Sequence, residues 1–140
     1  MLCIFSSYPF YTKYVLLPSV DDPVPPKICH NSKFWPYFKD TLGTLDGSHI
    51  HSSPPAIQWS AYQNCKGGIF QNCLFGCSFD LQFIFAYTGW EGSVMNVWVY
   101  ESALTDGLNI PLGKYYLADA LLSAIKVILF AVPVTKVKCI

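Results

Sequence analysis

The chain has 140 residues, of which 52% are hydrophobic, 16% aromatic and only 13% charged. That is the length of one domain with a core of its own, but it carries about half the roughly 25% of charged residues usual for soluble domains. Nine lysines balance nine acids with no arginine and a formal net charge of zero, which argues against the basic excess that holds a phosphate backbone.

In chain order, residues 1–28 read as an N-terminal extension and linker. MLCIFSSYPFYTKYVLLP lacks the basic start and sustained apolar core of a signal peptide. LPSVDDPVPPKI, Leu17 to Ile28, has four prolines and two acids and is expected to be extended. The aromatics Phe34, Trp35, Tyr37 and Phe38 in NSKFWPYFKDTLG suggest a short helical turn packed on the body. TLGTLD then reads as a first strand ending near Asp46, because Asp-Gly is a turn signal. IFQNCLFGCSF and FIFAYTGW, joined by a turn at Phe79–Gln82, complete an antiparallel meander. In GWEGSVMNVWVYESAL the period changes. Val97, Tyr100 and Leu104 fall at helical spacing with Ser93 as cap, and KYYLADA forms a fourth strand ending at Asp119.

The order β-β-β-α-β is an α/β arrangement. A helical crossover after the third strand returns the fourth parallel to the first, about 4.8 Å away. Asp46 and Asp119 then share one corner, and two carboxylates suit Mg²⁺ or Mn²⁺, which prefer oxygen ligands. A second reading makes Asp119 the N-cap of a helix starting at ALLSAI.

Smaller features also carry two readings. His49 and His51 share a strand face, either as ligands beside Asp46 or as surface histidines. Cys73 and Cys77 in CLFGC form a zinc pair or, as small apolar side chains, buried thiols. With no Cys-x-x-Cys among six cysteines, reduced thiols and an intracellular location are expected. Lys66-Gly67-Gly68 is a phosphate-approaching loop or a plain turn. Trp90 and Trp98 stack on bases or pack in the core. No run approaches the ~20 apolar residues of a membrane span, so no membrane partner is expected. The spacing of Leu121, Leu122, Ile125, Leu129 and Val132, stopped by Pro133, predicts that 121–140 is a helix or a loosely packed segment that adds no strand to the sheet.

The blocks FWPYFKD, LGTLDGSHI, YQNCKGGIFQN, FDLQFIFAYTGWEGS and IPLGKYYLADA, in this order, resemble the DDE endonuclease domain of Harbinger-type transposases and their domesticated relatives. The resemblance runs from about Tyr11 to Ala120. It implies a partial RNase H-like fold over 29–120 with its C-terminal part missing, and a divalent-metal-dependent nuclease acting on DNA phosphodiesters in the nucleus. Asp46 matches the first catalytic, metal-binding acid and Asp119 the second. The chain departs from the pattern at Gln63 and Cys65, at Met95, Asn96 and Trp98, and at Leu121-Leu122. The family's third acid, a glutamate, has no counterpart among the 21 residues after Asp119, none of which is acidic. The expectation is therefore a truncated, inactive copy that binds Mg²⁺ or Mn²⁺ weakly and DNA poorly. The alternative is a non-catalytic module that uses the inherited fold to bind a protein partner.

Overall fold

The structure, a computed structural model, describes residues 11, 13–63, 67–118 and 128–130, the last three by their backbone alone. After the proline-rich linker, helix α1 (Pro26–Cys29) starts on a proline whose fixed φ suits a first helical position and buries Ile28 completely. The following aromatic segment makes single helical turns as expected, with the Trp35 amide donating to the Asn31 carbonyl and the Phe38 amide to that of Phe34, both at 2.9 Å, but its aromatic side chains are mostly not packed on the body. Phe34, Trp35 and Tyr37 are exposed. Phe34 and Phe38 meet edge to face at 5.8 Å, packing on each other.

The next four strands and one helix make the body. They are β1 (Thr41–His51), β2 (Phe70–Cys77), β3 (Phe83–Glu91), α2 (Asn96–Thr105) and β4 (Tyr115–Ala118). β1, β2 and β3 form the expected antiparallel meander. β4 returns beside β1 and parallel to it, pairing Thr44 with Leu117 and Leu45 with Ala118. The intervening helix makes such a return possible, since parallel neighbours need a long crossover.

β1 is longer than Asp-Gly suggested and continues to His51. Gly47 is a strand residue there, paired with Leu74. A Cβ at this position would overlap the Asn96 carboxamide, so the glycine admits a close approach from the helix start rather than a turn.

The segment expected to be a non-sheet tail contributes β5 (Ile128–Phe130). It lies parallel to β4, in register from Tyr116–Ile128 to Ala118–Phe130, and completes the order β3-β2-β1-β4-β5. Helical spacing was misleading because Ile-Leu-Phe is also an unbroken apolar run, the pattern of strands in parallel pairs. Residues 121–127 and 131–140 lie outside the described residues.

One face of this mixed α/β sheet is covered by α2. Val99, Tyr100 and Ala103 form the buried side of the helix against Leu45, Leu74, Phe85, Tyr116 and Ala118. Each large apolar side chain so buried contributes about 1.5–3 kcal/mol. The expected stripe was displaced by about a quarter of a turn, and Leu104 and Trp98 stay exposed while Trp90 packs against the core. Ser93 is not the helix cap. Its hydroxyl donates to the Ala61 carbonyl at 2.8 Å, and Met95 takes the N-cap position without a side-chain hydrogen bond.

Candidate functional site

Strand alternation divides β1 into two faces. Leu45 enters the core under α2 and Gly47 lies against Asn96, so Asp46 between them points to the opposite face. Its β2 partner is Phe75, and its surroundings are a shallow recess of about 390 Å³ that includes Thr44, Ser48, Phe75, Cys77 and Phe83. Asp46 is exposed there. It therefore stands in the middle of β1 and not at the strand's carboxyl end, with five strand residues beyond it.

The electrostatics of the recess show in Cys77. Burial raises its thiol pKa, and the negative charge of Asp46 raises it further. Both effects disfavour the thiolate, the form that reacts and binds metal. Cys73, on the same face of β2, is fully buried, with a thiol pKa raised by loss of solvation. Both cysteines are free of disulfides, and the complete burial of Cys73 favours a small packed thiol there. Asp46 and the Thr44 and Ser48 hydroxyls are hard oxygen donors on one face, a set that suits Mg²⁺ or Mn²⁺ better than a soft ion.

His49 and His51 share a face as expected, but it is the face opposite Asp46. Their rings lie 6.2 and 4.2 Å from that of Phe70, their neighbour across the strands. Both are aromatic partners of Phe70 on β2, and His49 also borders the recess that holds Asp46. Glu101 belongs to α2 on the far side of the sheet. Glu91 pairs with Gln71, four residues along β2 from the partner of Asp46, roughly 13 Å away along the strand. Neither glutamate joins the recess. Among the described residues, no group of three or more His, Cys, Asp or Glu side chains is arranged to hold a metal ion.

Asp119 lies outside the described residues, as do Lys66 and Cys65. β4 is described as far as Ala118, the residue before Asp119, and Ala118 pairs with Leu45, the residue before Asp46.

Asn72 and Asn96 form the other polar arrangement, which pattern reading missed. Asn72 is buried on the helix side of β2. Its side-chain amide donates to the Val94 carbonyl at 2.7 Å and to Asn96 Oδ1 at 2.8 Å. The pair fixes the entry into α2 and, through Gly47, its distance from β1. A larger hollow of about 420 Å³ lies between the proline-rich linker and the start of β1, bordered by Leu17, Leu42, Ile84, Lys39 and Lys114. Its one carboxylate, that of Asp22, accepts from the Ser19 amide at 2.7 Å, so the hollow does not extend the Asp46 recess.

Compared with protein-family models, curated proteins and solved structures, the chain matches none. No helix among the described residues is long and apolar enough to cross a membrane.

Proposed function

We propose that this chain is a transposase-derived DDE endonuclease domain of RNase H-like type, which holds one Mg²⁺ or Mn²⁺ weakly through Asp46 and Asp119 and does not cleave DNA. The observation that carries this reading is the parallel pairing of β1 with β4 in the register Leu45–Ala118. In the sequence an aspartate follows each of these residues, Asp46 after Leu45 and Asp119 after Ala118. Consecutive Cα atoms are ~3.8 Å apart across a trans peptide and neighbouring parallel strands about 4.8 Å apart, so the register supports a site that both carboxylates share.

A divalent pair bound between three acids would activate water and stabilise a leaving oxygen in an in-line displacement. These 140 residues offer less: no acid follows Asp119 in the sequence, and Glu91 and Glu101 stand away from Asp46. Asp46 lies in an open recess beside Thr44 and Ser48, so the chain's own contribution is to orient one carboxylate among hydroxyls. The neutral, arginine-free composition gives duplex DNA little electrostatic attraction. DNA contact and a nuclear location belong to the same proposal and rest on the sequence resemblance.

The test is incubation of purified protein with supercoiled plasmid and Mn²⁺. No nicking above a metal-free control is the expected result. Nicking that requires Mn²⁺ and is lost in both Asp46→Ala and Asp119→Ala would show a complete catalytic site and overturn the proposal.

A further inference from the structure

The sheet order leaves β3 at one edge, with β2 as its sole neighbour among the described residues. Along Ile84–Trp90, no backbone group bonds to a described backbone group outside the sheet, and beyond that run the Val94 amide donates to the Glu91 carbonyl. In an antiparallel ladder every second residue of an edge strand directs both N–H and C=O outward. Edge strands are commonly protected by lysine, proline or an inward charge. The sequence Ile84-Phe85-Ala86-Tyr87-Thr88 has none of these, and its β-branched and aromatic residues favour pairing.

The geometry points to a second copy of this chain as the partner of that edge, joined antiparallel through β3 about a two-fold axis. An isologous pairing needs a surface complementary to itself. An antiparallel strand paired with its own copy keeps each side chain on its original face, so Tyr87, half-buried on the helix side, comes to the seam while Phe85 stays in the core. The Tyr87 ring is stacked on Phe85 at 6.2 Å within one copy, which holds it in place to meet its counterpart, and cross-strand aromatic pairs are favourable. A net charge of zero brings no long-range repulsion between copies. The paired run ends at Gly89, whose φ of 105° breaks the regular strand. This dimer is independent of any metal at Asp46.

The test is sedimentation velocity of the full chain over a concentration series, with Ala86→Lys and Ala86→Glu compared separately and mixed. Ala86 is half-buried on the Asp46 side of the strand, where like charges from two copies would face each other. The wild type is expected to dimerise as concentration rises. Each variant should remain monomeric with an unchanged far-ultraviolet dichroism spectrum, and the equimolar mixture should dimerise again. Thr88→Lys and Thr88→Glu replace them if the first pair misfolds. A wild type that stays monomeric at its highest soluble concentration would overturn the inference, even if it captures a strand-forming peptide. Dimers that persist in the folded lysine variants would overturn it as well.

Discussion

Replacing Tyr116 by phenylalanine should stabilise the protein, and the gain should grow in alkali. Tyr116 sits in β4 between β1 and β5, is 0% exposed, and its hydroxyl has no hydrogen-bond partner among the described residues. A buried hydroxyl without a partner costs roughly 1–3 kcal/mol of desolvation, while the phenylalanine ring keeps the apolar contacts. Removing the oxygen also loses a few dispersion contacts, so the net gain near neutrality is expected to be about 1 kcal/mol. Burial also pushes the Tyr116 pKa from 10.0 up to about 12. The folded state therefore retains a proton that the unfolded chain releases above pH 10. This contribution to stability is fully present below pH 10 and is lost as pH rises through 12. At about 1.4 kcal/mol per pH unit, the wild type should lose about 1.4 kcal/mol through this one group by pH 11 and roughly 2–3 kcal/mol once pH passes 12, a loss absent from Tyr116→Phe. Urea unfolding of both proteins at pH 7, 10 and 11 reads both effects as midpoint shifts at constant slope. A variant less stable than wild type by over about 1 kcal/mol at pH 7, with a gap that does not change with pH, would refute the reasoning, because the hydroxyl would then have a partner.

Two further substitutions test local geometry. Gly92→Ala should destabilise by about 1–3 kcal/mol in thermal unfolding, because its Cβ would lie 2.8 Å from the Tyr62 carbonyl oxygen and closer to that of Phe70, both backbone atoms; an unchanged melting temperature would contradict this. Asp46→Asn should lower the Cys77 thiol pKa by removing the smaller of its two causes, leaving burial in place. Alkylation of Cys77 followed by peptide mass spectrometry should then reach half-maximal rate at a lower pH than in wild type, and an unshifted profile would place the carboxylate away from the thiol.

The meander, the crossover helix and the parallel return of β4 were legible because short apolar runs, turn residues and a change of period are local signals. The length of β1 was not. Asp46-Gly47 has the composition of a turn, and only the approach of Asn96 from α2, 49 residues on, explains a glycine within the strand. The buried side of α2 was shifted for a related reason: Val99, Tyr100 and Ala103 face the sheet, whereas Trp98 and Leu104, equally apolar by type, stay outside. β5 escaped notice because Ile-Leu-Phe satisfies helix and strand patterns alike, and the edge of β4 that it pairs with is a tertiary feature. At the site, the sequence marked Asp46 but not its face. Once β1 was continuous to His51, alternation brought Thr44, Ser48 and Cys77 to the face of the aspartate and set both histidine rings against Phe70, with His49 still bordering the recess.

The shared ion is the centre of the account, and electron paramagnetic resonance of free Mn²⁺ during titration tests it most directly. Wild type, Asp46→Ala, Asp119→Ala and the double variant would be compared. One weak site in the wild type is expected, weakened to a similar degree by either substitution, with the double variant little worse than either single one because both carboxylates serve the same ion. Wild-type Mn²⁺ affinity in either single variant, or losses that simply add in the double variant, would contradict a site shared by Asp46 and Asp119.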